Sequence, residues 1–520
     1  MAAMRALVFV ISVSTATSAL RPARAHGSAC GRLRIAAAGG ARARMLLPRP
    51  ALDGEGAPAG AELVSLAAAT GCGTAVLVVA FKRAVLECST LLHGPLLPDG
   101  PALPFWALPV LGGCAVAALR TSTPASVFES SLGRNVQAAT DGAPVDVGAA
   151  VVRSLASVLT LGSGCSLGPE GPAVELGATV SRLSAALVRE LTSAQRRTLA
   201  CSGAAAGVAA GFNAPLAAIA FAYEVASARR SAVRAARAAD TLPAAPGGTP
   251  PKFVPLLPVC VASLTSAAVA RALLSNELSF AAALPVGDGN GASLAELPTY
   301  LLLGCFCGGG ATAFRAALAG ARGAFRERIA PVLASALHPL LGGAACGAIS
   351  ACVPQVQFSS YETLDMLVSS WAQLASPADP LLLYAAKVAA TSVCLGSGLV
   401  GGLFAPSLFL GAALGAAFSQ AAAGISLLLG VPEALPAELI LTGAASVLGA
   451  VLSSPLTSAL LVFDLTHNAR LLLPSLLAAT IASALTDELA PESGQAALPL
   501  AGDRQPPAVD GLAPTAKRPR

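Results

Sequence analysis

The sequence predicts an all-α polytopic membrane protein with an internal repeat, and three observations carry that expectation. Charged residues make up 12% of the 520 residues, about half the share found in soluble domains. Hydrophobic residues reach 55%, mean hydropathy is +0.70, and apolar runs recur at the length of about 20 residues that a bilayer span needs. The third observation is a Gly- and Pro-rich segment that occurs twice. The 51 glycines, 38 prolines and 4% aromatics suit short, broken, closely packed helices better than an aromatic-filled core. These numbers exclude a soluble enzyme. A nucleic-acid partner is excluded too, because the net charge is only +5 and no basic stripe is interleaved with aromatics.

Residues 1–57 read as a disordered signal and transit segment. The first acid is Asp53, after eight arginines. Met4 and Arg5 precede an apolar stretch, 6–13, and small residues around Ser18 and Ala19 offer a cleavage site. The acid-free, Arg-rich stretch 21–49 has the composition of an organelle transit peptide. That order predicts a plastid membrane, with another endomembrane as the alternative; an Arg-rich tail without a targeting role is the competing reading. A membrane domain is expected over 58–490, in halves of about 61–226 and 253–489. Its apolar runs cover 61–85, 103–119, 151–167, 199–225, 253–274, 298–319, 381–410 and 439–463. Many carry Gly or Pro, which suggests discontinuous helices around a protein-enclosed cavity. The linker 227–252 holds Arg229, Arg230, Arg234 and Arg237, which places it on the cytoplasmic or stromal face. Residues 491–520 form a basic, Pro-rich tail expected to be disordered.

Twelve cysteines, Cys30 to Cys394, lie mostly in apolar runs without a CxxC pair. They read as small buried hydrophobes, with neither disulfide nor metal expected. His26, His93, His338 and His467 have no ligand spacing.

The repeat is the informative feature. Gly162–Ala178 (GSGCSLGPEGPAVELGA) meets Gly396–Ala412 (GSGLVGGLFAPSLFLGA) at an offset of 234, with Gly162, Ser163, Gly164, Gly168, Pro172, Gly177 and Ala178 matched. A second pair follows at an offset of 240, matching Gly203 with Gly443, Pro215 with Pro455, Leu216 with Leu456, and acidic Glu224 with acidic Asp464. Corresponding interrupted segments in two halves point to a transporter's binding site. Each helix break exposes unpaired N–H groups and about half a positive charge. Where such ends converge they bind an anion without a basic side chain, and loosely enough to let it go.

These motifs resemble the CLC family of chloride channels and anion/proton exchangers. Gly168–Pro172 (GPEGP) is similar to the family's G-[KR]-E-G-P signature, and Gly402–Pro406 (GLFAP) to its G-x-F-x-P signature. Phe212–Glu224 and Ser454–Thr466 resemble the helices that end each half. The plant plastid and endomembrane branch is the most similar. The resemblance implies a CLC-type inverted repeat of about eighteen short, partly discontinuous helices, forming a homodimer with one pore per subunit. It implies transport of chloride or nitrate rather than an enzyme's chemistry, with no cofactor beyond the small anion carried. Glu170 would be the gate, its carboxylate competing with the anion for the same N–H groups. Backbone N–H groups at Gly168, Gly171, Gly402, Leu403 and Phe404 would bind the anion. Arg153 falls where the family often has a pore-facing Lys, Glu175 reads as a packing acid, and Lys387 has no motif behind it.

Three departures from the family pattern bear on mechanism. The signature G-S-G-I-P is replaced by the segment 120–133, where Ser122, Ser126 or Ser130 would supply the pore hydroxyl. The inner-gate tyrosine has no counterpart, since no Tyr follows Tyr384. The family's relay glutamate falls at Val225. That favours a channel over an anion/proton antiporter, although adjacent Glu224 is a candidate proton relay. A hydrolase built on Ser163 would need an intramembrane base, for which only His338 lies in an apolar run. A non-conducting scaffold is the remaining alternative.

Overall fold

The computed structural model describes residues 60–93, 103–128, 145–188, 191–224, 254–274, 294–369, 378–432 and 434–489. The expected transit segment, linker 227–252, tail 491–520, Cys30, His26, Ser130 and Val225 lie outside the described residues.

The first set of helices is α1 (Gly60–His93), α2 (Leu108–Thr121), α3 (Val147–Gly162), α4 (Glu170–Leu187), α5 (Ser193–Phe212), α6 (215–224) and α7 (Leu256–Leu273). The second set is α8 (Leu297–Ala324), α9 (His338–Cys352), α10 (Tyr361–Ser369), α11 (Ala378–Gly396), α12 (Phe404–Leu429), α13 (Pro436–Leu452), α14 (Pro455–Thr466) and α15 (Leu472–Leu489). Packing repeats between them. α4 packs on α5 as α12 packs on α13, and α7 packs on α1 and α5 as α15 packs on α8 and α13. Helix α7 therefore completes the first half. The expected division, which put residues from 253 onward in the second half, is corrected by this pairing. Counterparts α2 and α9 pack on each other, so the two halves meet through equivalent helices.

Three expected runs are each broken in the middle. The run 199–225 stops at Asn213, in the left-handed region with φ 58°, and 439–463 stops at Ser453 with φ 51°. Pro215 and Pro455 then open α6 and α14, where a missing N–H costs nothing. The run 381–410 breaks between α11 and α12. The repeated Gly-Ser-Gly has a backbone cause: Gly164 and Gly398 both hold a left-handed φ, 84° and 87°, a region that disfavours a Cβ.

Helices α5 and α13 sit at the centre. Every residue of α13 after Pro436 is buried, as is α5 from Thr198 to Phe212. Both are mostly small and apolar on all faces, as an enclosed helix must be, and the one buried acid of α13, Glu438, pairs with Arg470 at 2.8 Å. Outer helices expose leucines such as Leu256, Leu257, Leu301 and Leu302. Among the described residues, six helices are long and apolar enough to cross a membrane, and the chain is an integral membrane protein. Cys165, Cys201, Cys307, Cys346 and Cys394 are buried as expected, whereas Cys72, Cys114, Cys305 and Cys352 are exposed.

Two acids join the halves at the broken ends. Glu224, closing α6, accepts from the N–H groups of Leu456 (2.9 Å) and Thr457 (2.8 Å) and from the Thr457 hydroxyl. Asp464, late in α14, accepts from the N–H groups of Leu216 (2.9 Å) and Ala217 (3.0 Å). Each half thus caps the helix of the other. The repeated acid in the sequence has this structural reason. Glu224→Ala or Asp464→Ala should each cost about 2 kcal/mol, the range of hydrogen bonds to a charged group, read as a lower thermal midpoint in detergent. Glu224→Gln, which keeps one acceptor, should lose clearly less.

Candidate functional site

The two Gly-rich segments meet as one antiparallel backbone pair. Gly168 N–H donates to Gly402 O at 3.0 Å, and Gly402 N–H donates to Gly168 O at 2.7 Å. This corrects the expectation for those two residues: their N–H groups are used on each other and are not open to an anion. The pairing instead sets the N-termini of α4 and α12 beside one another. A Cβ on Gly402 would come within 2.5 Å of Gly171 N, and one on Gly171 within 2.7 Å of Gly402 Cα. Leu403 and Phe404 open α12 and are buried. Helix-opening N–H groups have no intrahelical acceptor, so Gly171, Leu403 and Phe404 remain as the candidate anion donors. The Phe404 ring is held between Phe212 and Phe221, each with centroids 5.6 Å away.

Glu170 opens α4 and is only 1% exposed. Its Oε1 accepts from the Tyr361 hydroxyl. Its Oε2 makes no hydrogen bond and lies against Gly168, where a Cβ would be 2.2 Å from Oε2 and 3.3 Å from Ala405 N. The carboxylate is thus folded inward, onto the junction of the two helix ends.

Tyr361 arrives there from a constrained turn. Phe358 and Ser360 hold left-handed φ values of 55° and 59°, which costs about 1–3 kcal/mol each in non-glycine residues. Lys387 of α11, fully buried, holds this turn. Its ammonium donates to Val356 O (3.0 Å), Phe358 O (3.0 Å) and the Ser360 hydroxyl (2.8 Å), which uses all three donors. It also lies 5.2 Å from the centre of the Phe409 ring. Phe358 N–H donates to Gly164 O at 3.2 Å, tying the turn to the segment before α4. Sequence motifs missed Tyr361 and Lys387. The available signal was a lone Lys inside an apolar run, since an intramembrane charge is functional by default.

The other expected residues divide. Arg153 is buried and pairs with Glu175 at 2.5 Å, with a further bond to Val127 O at 2.9 Å. Its charge joins α3 to α4, and Glu175 packs as expected. Glu224 is bonded at the far end of α6, as described above. Ser122 donates to Ala118 O, and Ser126 sits in a 3-10 turn. Arg120 bonds Gly398 O at 2.8 Å. Ser163 donates to Thr160 O, while His338 bonds Leu333 O, so each is engaged with a backbone carbonyl. Two glycine substitutions should separate fold from site. Gly402→Ala meets backbone and should cost about 1–3 kcal/mol of stability, read as a lower thermal midpoint. Gly168→Ala meets the movable end of Glu170 and should displace that side chain while leaving the thermal midpoint closer to the parent's.

A family model described as voltage gated chloride channel matches residues 134–487, more than half of the chain. Chloride channel protein CLC-f of Arabidopsis thaliana is 36% identical over 332 residues, covering 62% of this chain and 40% of that protein. Chloride channel protein CLC-e of the same plant is 34% identical over 345 residues, covering 64% and 46%. The chain thus spans less than half the length of these relatives. The crystal structure of a slow cyanobacterial Cl-/H+ antiporter has a TM-score of 0.65 at 23% identity, covering 82% of this chain and 94% of that one, which shows a shared fold. Because the family match runs through both halves and both glycine segments, the chain belongs to the voltage gated chloride channel family.

Proposed function

We propose that the chain forms an anion pathway of channel type, passing chloride or nitrate across an organelle membrane, with Glu170 as its gate. The observation that carries this reading is the Glu170 carboxylate. It is buried at the junction of two helix N-termini, held by one hydroxyl, with its second oxygen unbonded. A carboxylate there stands where an anion would sit, and either one satisfies the same positive ends. Opening requires Glu170 to leave, and the Gly171, Leu403 and Phe404 N–H groups then hold the passing ion. Acid favours opening, because a protonated carboxyl no longer competes as an anion. The bonds that hold Glu224 to α14 support a capping role over proton relay, and with it passive conduction over exchange. Transport rather than catalysis is supported by the engagement of Ser163 and His338 with the backbone carbonyls of Thr160 and Leu333.

The chain works as a homodimer in this reading. Leu216, Leu456, Leu256 and Leu473, on α6, α14, α7 and α15, are exposed and suit contact with a second subunit or with lipid. The Arg-rich segment ahead of Asp53 supports a plastid membrane.

Flux from proteoliposomes tests the proposal. The purified chain should release chloride or nitrate down its gradient without moving protons uphill. Glu170→Ala should raise flux at neutral pH by about tenfold, the equivalent of about 1.4 kcal/mol, and flatten its pH dependence. Wild-type vesicles as tight to anions as empty ones would overturn the anion pathway. Proton uptake driven by a chloride gradient would replace the channel with an antiporter.

A further inference from the structure

Outside Glu170 lies a cavity of 220 Å³ whose polar lining is Lys82, Ser89, Glu170, Ser359 and Tyr361. Its remaining walls are mostly apolar, so Lys82 and Glu170 are its two charges. Lys82 comes from α1. Its neighbour Arg83 bonds Leu273 O at the end of α7. The Lys82 ammonium donates to Gly211 O. That carbonyl takes one of three donors, and among the described residues no carboxylate lies within ion-pair distance of Lys82. The residue before Glu170, Pro169, carries neither charge nor N–H. Positive charge at this mouth therefore comes from a different helix than the one that carries the gate.

We propose that this cavity is an anion-docking site distinct from the position Glu170 occupies. A small monovalent inorganic anion binds Lys82 there and takes over the Tyr361 hydroxyl as Glu170 withdraws. The volume accepts such an ion with part of its water, since one water takes about 30 Å³ in the liquid. The Tyr361 proton stays on its oxygen throughout, and only its acceptor changes, from Glu170 Oε1 to the anion. Lys82 shares its ammonium with the Gly211 carbonyl, which keeps the hold weak enough for release. This inference rests on the gate reading of Glu170.

The test is initial chloride flux against chloride concentration in proteoliposomes, for the wild type, Lys82→Met, Lys82→Arg and Tyr361→Phe. Lys82→Met should raise the half-saturating concentration about tenfold and leave maximal flux within about a factor of two. Lys82→Arg should stay near the wild type. Tyr361→Phe should raise both half-saturation and maximal flux, because it weakens docking and frees the gate. Unchanged half-saturation in Lys82→Met overturns the docking site, as does a Lys82→Arg variant as impaired as Lys82→Met. A wild type without anion flux overturns the function itself, a separate result. If Lys82→Met fails to fold, bromide-soaked wild-type crystals decide, through an anomalous peak beside Lys82 or its absence.

Discussion

The pair of backbone bonds between Gly168 and Gly402 is the constraint on which the rest of the site depends. Two segments from opposite halves touch at a distance that admits no side chain on Gly402 or Gly171. That contact brings the openings of α4 and α12 together, and with them two positive helix ends in a region of low dielectric. Everything chemical at the centre follows from this placement. The carboxylate of Glu170 has a partner field to fold into, and the chain needs no basic side chain at the same point. A cation buried there would hold an anion too tightly to release it, whereas dipole ends can be left by one anion and taken by another.

A second layer of support comes from Lys387. Its ammonium is surrounded by oxygens of one short turn, and that turn carries two non-glycine residues in left-handed geometry. A strained segment persists only where its surroundings over-determine it. Here the surroundings are a buried lysine, the Phe409 ring and the carbonyl of Gly164. The product is a hydroxyl fixed at Glu170. The chain thus concentrates strain next to the buried carboxylate at the junction of the two helix ends.

Much of this was legible in the residues. Spaced prolines and glycines at a constant offset marked the broken helices and the two matching segments, because helix breaks leave local signals in sequence. The paired acids at 224 and 464 were visible as a repeat, but their role was not, since which backbone a carboxylate reaches depends on tertiary contact. The N–H groups of Gly168 and Gly402 were expected to face an anion. Their mutual pairing is a long-range contact across 234 positions, invisible to local reasoning. Tyr361 was missed for the same reason: nothing near it in the chain says that it meets Glu170. The assignment of α7 to the first half likewise rests on packing, where apolar runs look alike.

The exchanged caps of α6 and α14 bear on how the protein is made. During synthesis the first half leaves the ribosome with the opening of α6 uncapped, because Asp464 is still some 240 residues from being added. The first half must therefore wait, with polar backbone groups exposed, until α14 arrives and each helix can be finished by the other. Neither half has a complete structure alone. The halves are alike in pattern, and each depends on the other for the caps of its broken helix.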